Sequence, residues 1–214
     1  MTKKSMSQKQ IAAMKKRILD TALELIIKDG FQHVSMRNLA SRLGITATTI
    51  YNYYSNKDEI NIMIRMHGFE LLYNEFKKSY AKHTDPLERL KSMIRSYFKF
   101  GIQNPDYYDI MFNRRTPKYL DYVDTKMEPI ARTEREATLK NYAITEKTIS
   151  ELSEKYGIFS SDQIMLKTIH MWSEVHGIIS LHNSNLFKEI YPDQSSLMEP
   201  LINEVVARIE EYRG

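Results

Sequence analysis

Helix-start signals recur along the whole chain, and this feature constrains the fold more than any other. Asp85 and Asn104 are each followed directly by a proline, which is the order of a capping residue and a first helical residue. Between such signals, apolar residues recur at three- and four-residue steps, whereas the alternation typical of a half-buried strand is scarce. The sequence therefore predicts an all-α fold of about nine helices.

Composition narrows the class of protein further. The 214 residues are 42% hydrophobic, which is enough to bury a sizeable core, and they include no cysteine, which excludes disulfide bonds and thiolate metal ligands. No apolar run reaches the ~18 residues of a membrane span, and the basic N-terminus lacks the apolar core of a signal peptide. We therefore expect a soluble, cytoplasmic protein with no membrane partner.

The excess positive charge is confined to the first quarter of the chain. Residues 1–60 contain ten lysines and arginines against five acidic residues, whereas the remaining residues contain 21 against 22. A local excess of this kind is expected of a segment that binds a polyanion, although a solvated basic helix face has the same composition. Charge alone leaves these two interpretations open.

Two short helices joined by a glycine turn are predicted between Ser35 and Tyr53. Ser35 is a favourable N-cap, and Gly44 can take the positive φ angle that ends the first helix. The second helix, from about Ala47, is rich in small polar residues, so it suits a DNA major groove ~12 Å wide. The pattern favours a helix-turn-helix, with an ordinary capped helical hairpin as the alternative.

The stretches Ser35–Ala40, Leu43–Tyr54 and Lys57–Ile60 carry a more specific signal. Together they closely resemble the N-terminal domain of the tetracycline-repressor (TetR) family, and the resemblance covers about residues 10–60. It implies a three-helix DNA-binding domain in residues 1–56, followed by a helical effector-binding and dimerisation domain in residues 57–214. Thr48 departs from the pattern, since the family often has glycine or another small residue there.

The resemblance also implies which residues bind DNA. The expected contacts are Arg37, Thr46, Ala47, Thr48, Thr49, Tyr51, Asn52, Tyr53 and Lys57. Arg37 is expected to reach a base edge or a phosphate, and Asn52 can pair with adenine. Thr48, Thr49, Tyr53 and Lys57 are expected to hold phosphates, while Ala47 and Tyr51 can lie against thymine methyl groups. The expected partner is palindromic double-stranded DNA.

Aromatic residues are concentrated in the remainder of the chain. Residues 61–214 contain nineteen of the twenty-three, many of them close to methionine. Such side chains can line an adaptable apolar cavity, although each one is individually more typical of an ordinary core. A pocket for a small apolar or aromatic effector is predicted from Met93, Tyr97, Phe100, Tyr108, Met111, Phe112, Met171 and Trp172.

Trp172, His176 and Gly177 resemble the Trp…His-Gly segment of the effector domain in one branch of the family. In the family, the helix with this segment and the last helix pair with their copies, which implies a homodimer through the last two helices. The predicted helix from Ser161 to about Asn183 agrees, because it is apolar nearly all round. The resemblance further implies that the helix from Ser55 transmits effector binding as a lever.

Two other functional classes stay open on the sequence alone. A helical scaffold that binds DNA without an effector needs only a sealed core. A small-molecule-metabolising enzyme needs convergent titratable groups, for which only the i, i+4 pair His170 and Glu174 lies near the aromatic residues. No metal site is expected, because His170, His176 and His182 are spaced so that they point to three faces of one helix. The sequence favours a ligand-responsive repressor with no enzymatic activity and no cofactor.

Overall fold

The computed structural model describes residues 7–191 and 193–211, and within these residues all regular structure is helical. The α-helices are α1 (Gln8–Asp29), α2 (Met36–Leu43), α3 (Ala47–Tyr51), α4 (Lys57–Lys82), α5 (Pro86–Gln103), α6 (Pro105–Tyr108), α7 (Glu128–Tyr156), α8 (Ser161–Asn183), α9 (Leu186–Ile190) and α10 (Gln194–Glu210). The predicted all-α fold is confirmed. The described residues contain ten α-helices where about nine were expected, and the short α9 was not foreseen.

The chain divides into two compact units. Among the described residues, the first unit contains those through His67 together with Asp109–Arg135, and the second contains Gly68–Tyr108 and those from Glu136 onward. The first unit therefore holds more than the segment that was predicted to bind DNA. Helices α4 and α7 each contribute to both units.

Helices α1, α2 and α3 form the N-terminal part of the first unit. Ile18, Ala22, Leu39 and Ile50 are completely buried there, because the three- and four-residue spacing of apolar residues gives each helix one apolar face. Removing these side chains from water supplies most of the stabilisation of such short helices, which are marginal in isolation.

The second segment of the first unit is less regular. Asp109–Asn113 form a π-helical turn, and Tyr119–Tyr122 form a 3-10 turn before α7 begins. Ile62 on α4, Tyr122 on the 3-10 turn and Ala131 on α7 make up one buried apolar cluster. This cluster attaches the segment to the first turns of α4.

In the second unit, α5 packs against both α8 and α10. The Asp85 carboxylate accepts hydrogen bonds from the amides of Leu87 and Glu88, so the predicted cap of α5 is confirmed. Helices α5 and α8 come close together at Gly101, where an added Cβ would lie 2.6 Å from Cγ2 of Ile179. A glycine at this crossing is therefore required by the packing of the two helices.

Ser55 with Asp58 three residues later has the pattern of a capping box and predicts the start of α4, but the observed cap is different. The side-chain oxygen of Asn56 accepts a hydrogen bond from the amide of Glu59 at 2.9 Å, so Asn56 caps the helix in place of Ser55 with Asp58. Ser55 donates both its amide and its hydroxyl to the Glu59 carboxylate, each at 2.6 Å. The predicted capping-box pattern is wrong by one residue because Asn56 is an equally good cap that lies next to it.

Other helix ends also differ from the prediction. Helix α3 ends at Tyr51, two residues before the predicted Tyr53. The charge-rich sequence after Pro117 predicts a long helix with a break near Glu128, and α7 begins at Glu128. The sequence after Pro192 predicts a last helix from about Gln194 to Tyr212, and Tyr212 lies outside the described residues. No helix within residues 7–191 and 193–211 is both long and apolar enough to cross a membrane.

Candidate nucleic-acid interface

Helices α2 and α3 are joined by a tight left-handed turn. Gly44 has φ 67° and ψ 31°, a conformation that costs a residue with a Cβ about 1 kcal/mol or more. The amide of Ile45 donates to the carbonyl of Ala40 at 3.0 Å across this turn. The Ser35 hydroxyl accepts from the amide of Asn38 at 3.1 Å, which confirms the predicted N-cap of α2. The geometry is that of a helix-turn-helix.

Helix α1 is bonded to this motif at two places, the end of α2 and the residues that follow α3. Nη2 of Arg17 donates to the carbonyl of Leu43, the last residue of α2, at 3.1 Å. The Tyr54 hydroxyl donates to the carbonyl of Lys15 at 3.4 Å, and the Lys15 ammonium lies 5.7 Å from the centre of the Tyr54 ring. Burial raises the pKa of Tyr54 to about 12, so the phenol remains a hydrogen-bond donor. These contacts fix α3 relative to α1.

The exposed side of α3 carries several of the residues predicted to bind DNA. Thr48 and Asn52 are exposed, and Tyr51 keeps 55% of its surface in contact with solvent although it is a large aromatic residue. Ile50 on the opposite side of α3 is fully buried. Exposed aromatic and polar side chains on one face, with an apolar anchor on the other, are suited to a groove of DNA.

Two threonines at the start of α3 are bonded to each other. The hydroxyl of Thr46 accepts from the amide of Thr49 at 3.2 Å, and the two hydroxyl oxygens are 2.9 Å apart. Thr46 is therefore the N-cap of α3, and its hydroxyl orients that of Thr49. Ala47 beside them is half-buried, whereas Thr48 points into solvent.

The remaining predicted contacts lie on either side of α3. Arg37 is exposed on the second residue of α2, and Tyr53 is half-buried after α3 ends. The Lys57 ammonium is 3.5 Å from the carbonyl oxygens of both Phe31 and Gln32 and 4.7 Å from the centre of the Phe31 ring. Lys57 thus lies at the first turn of α4 with its charge held against the turn that precedes α2.

The second unit contains a chain of hydrogen bonds through its aromatic residues, here called the Tyr108 chain. Nε1 of Trp172 donates to the hydroxyl of Tyr97 at 2.8 Å, and the hydroxyls of Tyr97 and Tyr108 are 3.2 Å apart. The Tyr108 hydroxyl lies 2.7 Å from Nδ1 of His176, and Nε2 of His176 lies 3.4 Å from the hydroxyl of Ser180. Five polar side chains are therefore linked within the second unit.

Burial determines the protonation of the Tyr108 chain. Tyr108 is fully buried, and desolvation raises its pKa and that of Tyr97 well above the ordinary tyrosine value. Desolvation lowers the pKa of His176, which favours the neutral ring. A neutral ring can accept a hydrogen bond from the Tyr108 hydroxyl at Nδ1 and donate a hydrogen bond to the Ser180 hydroxyl from Nε2.

The structure brings together only part of the predicted effector pocket. Tyr97, Tyr108 and Trp172 are joined by the hydrogen bonds just described, and the predicted Met93 and Phe100 are buried in the same unit. Met171 in this unit is half-buried. Met111, which is buried, and Phe112, which is half-buried, belong to the π-helical turn of the first unit.

Sequence reasoning did not find the role of His176 as a partner of Tyr108. The two residues are 68 positions apart, and neither has a neighbour in sequence that signals the contact. The sequence places His176 in the Trp…His-Gly segment of α8, but this segment does not indicate which residue the imidazole contacts. In the part of the chain that the structure describes, no group of three or more histidine and acidic side chains is arranged to hold a metal ion.

Comparison with protein families gives two matches that together span most of the chain. Residues 18–61 match the model described as bacterial regulatory proteins of the tetR family. Residues 90–205 match the model described as a tetracyclin repressor-like C-terminal domain. The first match contains the helix-turn-helix and the second contains the Tyr108 chain.

Curated relatives with detectable sequence similarity are transcriptional regulators. An uncharacterized HTH-type transcriptional regulator, YobS of Bacillus subtilis, is 25% identical over 100 residues, which are 47% of this chain and 52% of that protein. The HTH-type transcriptional repressor KstR of Rhodococcus jostii is 31% identical over 80 residues, which are 37% of each protein. The chain thus matches about a third to a half of the length of these relatives.

Solved structures show the same fold over nearly the whole chain. The fatty acid degradation regulator FadR from Bacillus halodurans superposes with a TM-score of 0.65 at 17% identity, covering 95% of this chain and 97% of that one. The TetR family transcriptional regulator PfmR from Thermus thermophilus has a TM-score of 0.65 at 17% identity, covering 92% and 96%. The two matched families and the relatives named above are described as regulators and not as enzymes. With a helix-turn-helix at its N-terminus and a family match over more than half of its length, the chain belongs to the TetR family of DNA-binding transcriptional regulators.

Proposed function

We propose that this chain is a ligand-responsive repressor that binds a palindromic operator as a homodimer and releases it when a small apolar or aromatic effector binds. The observation that carries the proposal is the pairing of two features. One is α3, which presents Thr48, Tyr51 and Asn52 to solvent on a braced helix-turn-helix. The other is the Tyr108 chain in a unit rich in buried aromatic residues.

Direct reading of bases is assigned to Arg37 and Asn52. Both side chains are exposed, and they can form two hydrogen bonds each, to guanine and adenine respectively. Phosphate binding is assigned to Thr48, Thr49, Tyr53 and Lys57, with Lys57 at the first turn of α4, where free amides also favour an anion. Thr46 caps α3 and supports Thr49, while Ala47 and Tyr51 are assigned to thymine methyl groups or backbone.

Dimerisation is assigned to α8 together with α10. Four apolar residues on α8 are exposed in the single chain, at 58% for Met165, 65% for Leu166, 42% for Ile169 and 45% for Trp172. Their spacing places them on one side of the helix, and a contiguous exposed apolar surface of this kind is typical of an interface. A two-fold dimer would place its two α3 helices about one turn of DNA apart, or at a related spacing.

Introducing a charged side chain on the exposed apolar side of α8 tests whether this helix forms the dimer interface. Leu166→Asp is expected to give monomers in light scattering, because a carboxylate in an apolar interface is costly. Leu139→Asp is the matched control, since Leu139 on α7 is also exposed, at 48%. An unchanged dimer with Leu166→Asp, or equal dissociation with Leu139→Asp, would contradict this assignment.

The effector is assigned to the surroundings of Tyr97, Tyr108 and Trp172. Aromatic rings in mutual contact favour a flat or apolar ligand: the rings of Tyr108 and His176 are stacked, with centres 5.5 Å apart at 24°, and those of Tyr97 and Tyr108 meet edge to face, with centres 5.8 Å apart at 69°. We also assign this protein to the family branch with the Trp…His-Gly segment, since Trp172 and His176 both take part in the hydrogen bonds of the Tyr108 chain.

Repression is proposed from the name of one relative and from the family default. KstR is described as a repressor, whereas FasR of Mycolicibacterium smegmatis, 22% identical over 96 residues, is described as an activator. The lever that connects effector to DNA is assigned to α4, so effector binding is expected to change the separation of the two α3 helices.

Selection of bound duplexes from a random pool tests the function. The full chain is expected to enrich a palindrome with two half-sites about one helical turn apart, and aromatic compounds from a small-molecule set are expected to release it. Failure to enrich any sequence would contradict sequence-specific binding. Enrichment without release by any compound would favour a DNA-binding scaffold, and an unchanged α3 separation with effector would exclude the lever.

A further inference from the structure

Arg114 forms two hydrogen bonds that join distant parts of the first unit. Its Nη2 donates to the carbonyl of Ile27 at 2.7 Å, across 87 positions of sequence. Its Nε donates to the carboxylate of Asp109 at 2.6 Å. Both partners are engaged by one planar guanidinium, which lysine cannot imitate because its ammonium is a single point charge.

The contact with Ile27 gives a partner to one of the carbonyls at the C-terminus of α1. The last four carbonyls of a helix have no partner within the helix. Here the Ile26 carbonyl accepts from the amide of Gly30 at 3.0 Å, and the Asp29 carbonyl is 2.7 Å from Nδ1 of His33. Arg114 supplies the partner of Ile27, and its positive charge is favourable at the negative end of the helix dipole.

This end of α1 leads directly into the DNA-reading motif. Gly30, with φ 84° and ψ 153°, turns the chain into the 3-10 turn Phe31–His33, and α2 begins three residues later at Met36. Nearer the N-terminus of α1, Arg17 donates a hydrogen bond to the carbonyl of Leu43 at the end of α2. The direction in which α1 ends therefore sets the position of α2 and, through the turn at Gly44, of α3.

We propose that Arg114, which lies far outside the helix-turn-helix in sequence, is a positioning residue for operator binding. It holds the end of α1 against the turn at Asp109 and so keeps α3 in the orientation that reads bases. This inference rests on the proposed operator binding. Arg114 does not itself need to touch DNA, because its guanidinium is already engaged by two partners.

The test compares Arg114→Met with Arg115→Met in the full chain. Arg115 is exposed, so its variant removes the same charge from the neighbouring position. Both variants are titrated with the operator enriched by the wild type and with a scrambled duplex, at several salt concentrations and well below the unfolding midpoint of the less stable variant. Amide hydrogen exchange is measured across residues 28–36.

Arg114→Met is expected to weaken operator binding about tenfold, as for the loss of a charge-assisted hydrogen bond. The affinity for scrambled DNA is expected to stay unchanged, as is the salt slope, which is the slope of the logarithm of the binding constant against the logarithm of the salt concentration. Exchange across residues 28–36 is expected to become faster. Arg115→Met is expected to behave as the wild type. Should Arg114→Met fold poorly, Arg114→Lys and Asp109→Asn are expected to show the same change at smaller amplitude.

Three results would overturn the inference. A salt slope reduced by about one with Arg114→Met would make Arg114 a phosphate contact. A lower unfolding midpoint with wild-type operator affinity would make it merely structural. If the wild type enriches no operator, the proposed function fails and this inference fails with it, whereas an enriched operator that Arg114→Met binds normally removes this inference alone.

Discussion

The guanidinium of Arg65 lies 2.9 Å from the carboxylate of Glu134, and the two side chains retain only 6% and 3% of their exposure. Nη1 of Arg65 also donates to the carbonyl of Pro117 at 3.3 Å. Desolvation lowers the pKa of Arg65, and Glu134 opposes that effect. The pair thus connects α4, the Pro117 loop and α7 within the first unit.

Neutralising one partner of this pair is expected to destabilise the protein strongly. Glu134→Gln removes the carboxylate beside the buried arginine charge, and breaking comparable buried pairs costs about 3–5 kcal/mol. The free energy of unfolding from urea titration measures the effect. The exposed pair Lys16 and Asp20 is the control, since exposed ion pairs contribute about 0–1 kcal/mol. A loss below about 1 kcal/mol for Glu134→Gln would show that the pair is not a stabilising contact.

Filling the close crossing of α5 and α8 is expected to be unfavourable. In Gly101→Ala the added methyl group would meet Cγ2 of the fully buried Ile179, and overpacking of this kind costs about 1–3 kcal/mol. Rotation about χ2 of Ile179 leaves Cγ2 in place, and χ1 of an isoleucine in a helix is strongly restricted, so a change of rotamer does not relieve the clash. The unfolding midpoint of the variant measures the cost.

A second substitution at the same crossing shows whether steric strain is the reason why Gly101→Ala loses stability. Ile179→Ala removes the atoms in conflict, so the double variant is expected to be more stable than the sum of the two single losses predicts. Additive losses would mean that Gly101 is required for a different reason.

Local signals made the first unit partly predictable from sequence. Ser35 and Gly44 act within a few residues of their own positions, so the ends of α2 follow from residue type alone. The contacts of Arg114 with Ile27 and of Tyr108 with His176 span 87 and 68 positions. They depend on how helices pack, and no periodicity or cap along the chain encodes them. The predicted pocket named Tyr108 because it is aromatic, whereas its hydroxyl partners became evident only from the fold.

The pH dependence of stability is expected to include a contribution from His176. Burial lowers its pKa in the folded state, so between about pH 6.5, the ordinary histidine value, and that lower value the unfolded chain binds more protons. Stability is therefore retained above about pH 6.5 and is lost as the pH falls through the folded-state pKa. His182 is shifted in the same direction.

Urea titrations at about pH 7.5 and about pH 5.5 check this expectation, since the two values bracket the histidine range. His176→Gln is expected to lose less stability on acidification than the wild type does. His170→Gln is the matched control, because His170 lies exposed on the same helix α8. Equal acid sensitivity of the wild type and His176→Gln would contradict the role of burial at this position.

Lys57 and Asn52 are expected to differ in what they contribute to DNA binding. Lys57→Met removes a charge from the first turn of α4, so operator and scrambled DNA are both expected to bind less tightly, with the salt slope reduced by about one. Lys126→Met, at an exposed lysine of the same unit, is the control and is expected to leave the slope unchanged.

Asn52→Ala is expected to keep the slope but to lose about 1–3 kcal/mol of preference at one base pair, because a paired adenine would lose its two hydrogen bonds. Selection with each variant separates these effects: a changed consensus with Lys57→Met, or an unchanged one with Asn52→Ala, would reverse the assignment of phosphate and base contacts.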